Sequence, residues 1–204
     1  MDLLAEQHKN PQCELDFKTP FELLVAVILS AQCTDKRVNM ITADLFAEYN
    51  TPEQFAAMSE EELSSKIFSC GFYRNKAKNI IAASRSIVRD FNGIVPSDIK
   101  DLIKLNGVGY KTASVVHSVA FGGDAIAVDT HVFRVSRRIG LASENTPDKV
   151  MRELMESIER KHWTRLHHLL VHHGRYICKA IKPLCGKCKI NEYCKYYLEE
   201  INNE

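Results

Sequence analysis

Four cysteines stand close together at Cys178, Cys185, Cys188 and Cys194, separated by six, two and five residues. Four thiolates within 17 residues can hold one metal centre, and two chemistries accept such a set, zinc and iron–sulfur. Zinc ribbons usually carry two C-x2-C knuckles far apart. Here a single C-x2-C is flanked by wider gaps, which weakens the zinc reading. The set also lies in the most basic stretch of the chain. From Arg160 to Asn191 there are eight lysines and arginines and no acidic residue. Residues 160–204 carry +5 and residues 1–159 carry −4, a polarity that the whole-chain charge of +1 conceals. Positive charge around a metal centre points to a polyanion as partner. The other cysteines, Cys13, Cys33 and Cys70, are scattered and read as core thiols.

A second candidate is the run Leu105-Asn106-Gly107-Val108-Gly109-Tyr110-Lys111-Thr112. No strand precedes it, so it is not a dinucleotide fingerprint. It also lacks the glycine spacing of a P-loop. It fits a helix–hairpin–helix: Gly107 and Gly109 let backbone N–H groups approach a phosphate, and the following helix adds its positive end. Such a contact positions DNA and reads no sequence. Lys111 opens that helix. It is either a solvated lysine near phosphate or an amine nucleophile. For the second role the helix end and an expected partial burial would both disfavour the charged form.

A third candidate is Asp129, set after Ile126-Ala127-Val128 and before a helical pattern. Position alone makes it an N-cap. A capping carboxylate is also rigidly held, and in a low-dielectric cleft it can balance positive charge or activate a nucleophile.

The elements that must position these residues are helical. Thr19-Pro20-Phe21-Glu22 reads as a cap, a first-turn proline and a capping-box acid. Phe21, Leu24, Val25, Ile28 and Leu29 mark one face of the helix that follows. Val38, Ile41, Leu45, Phe46 and Tyr49 mark another. Thr51 to Gln54 and Ser59 to Glu62 repeat the capping-box pattern. A long helix runs from Ala77 to Phe91, with Gly93 as its stop. Further helices are expected over 98–104, 110–121, 130–139, 147–158 and 162–176. Asn92-Gly93 and Asn106-Gly107 lie between helical patterns and not between alternating apolar runs. The fold class expected is all-α. At 204 residues, 45% of them hydrophobic, the chain fits one large domain or two small ones. No stretch is apolar enough for a membrane span, and the start MDLLAEQHKN does not read as a secretory signal. A cytoplasmic setting follows.

Together these segments resemble the endonuclease III family of DNA repair glycosylases. The resemblance runs through Pro20 to Leu24, Leu29 to Gln32 with Thr34-Asp35, Leu105 to Val116, Ile126 to Val135, His172 to Cys178, and the four-cysteine tail. It implies two helical parts with a DNA cleft between them. Residues 14–123 would form a helical barrel carrying the hairpin at about 98–121. Residues 1–13 and 124–204 would form an iron–sulfur domain with its cluster loop at 178–194, its first helix abbreviated. Lys111 would be the nucleophile and Asp129 the catalytic carboxylate. Cys178, Cys185, Cys188 and Cys194 would ligate a 4Fe–4S cluster. Gln32 would fill the gap left by an extruded base, and Phe72 would lie in the second loop that wedges the duplex. Gly107, Gly109, Lys182, Lys187 and Lys189 would meet phosphates.

The implied activity is base-excision repair: a bifunctional glycosylase removing oxidised pyrimidines and cutting the abasic site by β-elimination through a lysine Schiff base. Its partner would be double-stranded DNA with damaged pyrimidines or abasic sites. The protein would act as a monomer, away from membranes and at the nucleoid if bacterial. Lys111 separates the chain from mismatch adenine glycosylases, which lack that lysine. A non-catalytic iron–sulfur DNA-binding module would need neither Lys111 nor Asp129, and a zinc-binding interaction protein would be indifferent to abasic DNA. A second metal site at His167, His168, His172 and His173 is the lesser alternative, because the resemblance places these on a structural helix. In two places the chain departs from the family pattern. Asn106 stands where proline is common, and Cys33 where small or polar residues are usual.

Overall fold

The computed structural model describes residues 1–9 and 11–201. Among them every regular element is helical and no strand occurs. No helix there is long and apolar enough to cross a membrane. The chain divides into two compact units, Glu14–Gly123 and Met1–Cys13 with Asp124–Glu204.

The short helix α1 (Asp2–Gln7) belongs to the second of these units. The Glu14–Gly123 unit is built from α2 (Pro20–Ser30), α3 (Asp35–Glu48), α4 (Pro52–Ala57), α5 (Glu60–Lys66), α6 (Tyr73–Asp90), α7 (Ile99–Leu102) and α8 (Tyr110–Phe121). Its centre is α2. Thr19 starts the helix by accepting a hydrogen bond from the Glu22 N–H, and Pro20 opens the first turn. The expected single apolar face is too narrow a description. Every residue from Phe21 to Leu29 is buried, because α3, α6 and α8 all pack against this helix.

The acids at the expected capping-box positions behave differently from one another. Gln54 completes a full box with Thr51. The Glu22 carboxylate accepts instead from the Lys18 N–H, and Glu62 accepts from the Tyr49 hydroxyl at 2.9 Å. The long helix α6 stops as expected near Gly93, whose N–H reaches back to the Ile87 carbonyl at 3.0 Å. Asn92 is the first residue to turn left-handed there, with φ 53°.

The second unit adds α9 (Thr130–Ile139), α10 (Pro147–Ser157) and α11 (Trp163–Tyr176). Its core joins Leu4 of α1 to Ile126, Val132, Val135, Val150, Leu154, Leu166, Leu169 and Leu170. The α9 and α11 backbones approach closely at Gly174, where a methyl group would fall 2.8 Å from the His131 Cβ. After α11 the chain runs through short helical turns around the four cysteines, Cys185–Lys187 and Asn191–Tyr193.

Candidate functional site

In the Glu14–Gly123 unit, Leu102, Leu105 and Val108 are buried on one side of the glycine turn, and Ala113 and Val116 on the other. These anchors fix α7 against α8. The His117 ring adds a hydrogen bond to the Ser97 carbonyl at 2.7 Å. The two glycines do different work. Gly107 is left-handed at φ 75°, and a methyl group there would sit 2.8 Å from the Asn79 Cβ. Both backbone and space therefore require glycine. Gly109 is extended, a conformation open to any residue. A side chain at Gly109 would project into open space. Its absence leaves the start of α8 uncovered, and no side chain caps that helix. An anion could approach the first-turn N–H groups directly. Lys111 lies in this first turn and is exposed. The partial burial expected for it is not found, because the open turn gives it nothing to pack under.

Two loops of the same unit come together. Gln32 follows α2 and Phe72 precedes α6, and both are left-handed, at φ 56° and 58°. Neither residue type favours that region, and for a bulky side chain it costs about 1–3 kcal/mol. Gln32 is exposed, and Phe72 keeps 68% of its surface. A methyl group on Gly71 would lie 3.4 Å from the Gln32 carbonyl oxygen, so the loops touch. Lys76, 6% exposed, reaches from α6 to donate to the Leu29 carbonyl at 2.8 Å. This places a cation at the C-terminal end of α2, where the helix dipole favours it, and it pins the start of the Gln32 loop. Burial pulls Lys76 below the ordinary lysine range, opposed by the nearby Cys70 and Cys33. Lys76 carries no signal in the chain, where it resembles any solvated helix lysine. Cys33 and Cys70 are not scattered core thiols: their sulfurs stand 3.8 Å apart.

In the second unit Asp129 caps α9. Its Oδ1 accepts from the Val132 N–H at 2.7 Å, and the residue is half-buried. Two arginines on the same helix reach the start of the cysteine loop. Arg134 donates to the carbonyls of Gly174 at 2.9 Å and Cys178 at 3.1 Å. Arg138 donates to those of Lys179 at 2.7 Å and Ala180 at 3.1 Å, and lies 3.6 Å from the Cys178 sulfur. Sequence reasoning missed both, because their acceptors are backbone carbonyls some 40 residues away.

Cys178, Cys185, Cys188 and Cys194 line one apolar cavity with Ile139, Ile177, Pro183 and Tyr196. Burial pushes the Cys185, Cys188 and Cys194 thiols up, and the neighbouring thiols push the same way. A donor set crowded in this manner suits a bound positive centre that offsets four negative sulfurs. Among the described residues no three His, Cys, Asp or Glu side chains are gathered as tightly as a single ion would require.

Three of the histidines on α11 tie it to other segments. His173 sits between His8 Nε2 at 3.0 Å and the Cys188 sulfur at 3.6 Å. Burial, aided by His8, lowers its pKa to about 4. His167 meets the Ala127 carbonyl at 2.9 Å, and His172 that of Gln12 at 2.9 Å. Lys182, Lys187 and Lys189 are exposed around the loop. Lys182 is left-handed at φ 52°, and Lys189 pairs with Glu6 at 3.1 Å.

Residues 25–160 match the family described as HhH-GPD superfamily base excision DNA repair protein. Endonuclease III of Rickettsia conorii is 52% identical over 96% of this chain and 93% of its own. A solved non-covalent endonuclease III–DNA complex is 45% identical, with a TM-score of 0.93 over 98% of this chain and 94% of its own. A trapped endonuclease III–DNA covalent intermediate, an estranged-adenine complex, is 46% identical, with a TM-score of 0.92 over 97% of this chain and 93% of its own. A hairpin glycine with no room for a side chain, a lysine on the turn beyond it and a four-thiol loop thus occur in a chain that belongs to the endonuclease III family of base-excision DNA repair enzymes.

Proposed function

We propose that this protein removes oxidised pyrimidines from duplex DNA and cuts the resulting abasic site through a Schiff base on Lys111. The observation that carries the reading is the exposed Lys111 at the uncovered start of α8. A relative 46% identical to the chain has been captured as a covalent intermediate with DNA, which fits an amine nucleophile at this place.

The target base leaves the stack before its glycosidic carbon can be reached. Gln32 fills the gap, and Phe72 wedges the duplex from the neighbouring loop. The backbone at Gly107 and Gly109 holds a phosphate, as do Lys182, Lys187 and Lys189. Lys111 Nζ attacks the sugar C1′. The bond from C1′ to the base breaks, and the base leaves and takes up a proton. The sugar ring opens to the imine, loss of a C2′ proton expels the 3′ phosphate, and water releases the amine. Asp129 assists the amine and balances positive charge on the opening sugar. Cys178, Cys185, Cys188 and Cys194, which line one cavity, would hold a 4Fe–4S cluster, the reading their six-two-five spacing and the family favour over a single zinc. When bound there, it would supply a structural centre for the basic loop. The protein works as a cytoplasmic monomer.

Borohydride trapping tests the reading. A duplex with one thymine glycol and a duplex with one abasic site should both give a covalent adduct. An adduct on neither would overturn the Schiff-base route, and one on the abasic duplex alone would remove the glycosylase half. Metal analysis of the purified protein should find about four irons and four sulfides per chain. One zinc and no iron would replace the cluster assignment.

A further inference from the structure

Cys33 and Cys70 are 37 positions apart in the chain, and their sulfurs are 3.8 Å apart. They lie in a different unit from the four-thiol loop. Cys33 directly follows Gln32, and Cys70 stands two residues before Phe72. The thiol pair therefore sits where the two left-handed loops touch, beside the buried Lys76 that pins one of them. Cys33 is half-buried, whereas Cys70 is 1% exposed.

We propose that Cys33 and Cys70 form a reversible oxidation site, at which an intramolecular disulfide ties the Gln32 loop to the Phe72 loop and arrests both. The oxidant is a peroxide. Cys33, the more accessible sulfur, attacks a peroxide oxygen. An S–O bond forms, the O–O bond breaks, and Cys33 becomes a sulfenic acid as water leaves. Cys70 then attacks the Cys33 sulfur. The S–S bond forms, the S–O bond breaks, and a second water carries away the Cys70 proton. The two thiols lose two electrons and one hydrogen peroxide gains them. A dithiol reductant reverses the change and is itself oxidised.

Burial and the neighbouring Cys33 push the Cys70 thiol up to about 11, and the Lys76 charge pulls the other way. Cys70 thus suits the second, resolving role better than the first. A disulfide brings its sulfurs to about 2.05 Å, and here it would join the residue after Gln32 to the residue two before Phe72. The chemistry stands independently of any activity. Its consequence rests on reading these loops as the wedge that opens the duplex. Tied loops should slow release of a base-paired lesion and spare an abasic site, which has less to extrude.

The test uses the cluster-loaded protein with hydrogen peroxide at a few equivalents. Alkylation, digestion without reductant and mass spectrometry should reveal one peptide pair joined through Cys33 and Cys70, lost on adding dithiothreitol. Single-turnover release of thymine glycol should slow by about tenfold or more, as expected when a loop motion is arrested, and recover with dithiothreitol. Cleavage of an abasic duplex should change far less. Cys33→Ser and Cys70→Ala should each lack the cross-link and keep their rate after peroxide. Cys33 oxidised with no link to Cys70 would overturn the site. A link with unchanged rates, or equal peroxide loss in both variants, would overturn the arrest. Reduced protein inactive on every duplex would instead count against the repair reading, with the cross-link still decided by mass.

Discussion

Lys111→Gln should abolish the borohydride-trapped adduct and lower strand cleavage at an abasic site by roughly 10³-fold or more, the scale on which loss of a covalent nucleophile is felt. The fold should not change. Lys111 is exposed, and glutamine is an ordinary helix residue at such a site. The turn before it is set by Gly107 and by the buried Leu105 and Val108, so α8 should start where it does now. DNA binding should fall by no more than roughly tenfold, because a single phosphate-range charge is removed. Circular dichroism, a filter-binding titration and trapping on one preparation give the three readings. Unchanged melting and binding with no adduct would place Lys111 at the chemistry. A full adduct from the variant would move the nucleophile to another amine. A solvated phosphate-contacting lysine would predict weakened binding with trapping retained once the enzyme is saturated.

What the chain made legible, and what it hid, divides by how local the cause is. The starts of α2 and α4 were readable because Thr19 and Thr51 meet N–H groups three residues on. Gly107 was readable because only glycine takes a left-handed turn without cost, whereas its contact with Asn79 was not. The helical class followed from the 3.6-residue spacing of apolar residues. The full burial of α2 did not, since it depends on three other helices closing around it. Gln32 and Phe72 were found by resemblance, but their left-handed backbones have no signal in residue type. Lys76, Arg134 and Arg138 looked like surface charges. Their acceptors are main-chain carbonyls brought near by the fold, and every residue supplies a carbonyl, so no pattern marks the pairing. For Cys33 and Cys70, scattered in the chain and adjacent in space, the same non-local cause applies.

Asp129 separates a capping role from a chemical one by means of two substitutions. Its carboxylate caps α9 through Val132 at 2.7 Å, and α9 carries Arg134 and Arg138 to the start of the cysteine loop. Asparagine caps about as well as aspartate, so Asp129→Asn should leave the melting temperature and the iron content unchanged. Alanine cannot cap, so Asp129→Ala should cost about 1 kcal/mol. If Asp129 only caps, activity should follow stability: nearly intact in the asparagine variant and lowered in the alanine one. If the carboxylate balances charge on the opening sugar, both variants should lose roughly 10²–10³-fold in single-turnover base release, the scale of one removed electrostatic contact to a transition state. The asparagine variant would then be folded, cluster-loaded, able to bind DNA and nearly inactive. We expect that second pattern, because the amide keeps the hydrogen bond to Val132 and loses the negative charge. Base release from Asp129→Asn within threefold of the unaltered protein would leave Asp129 as a cap alone.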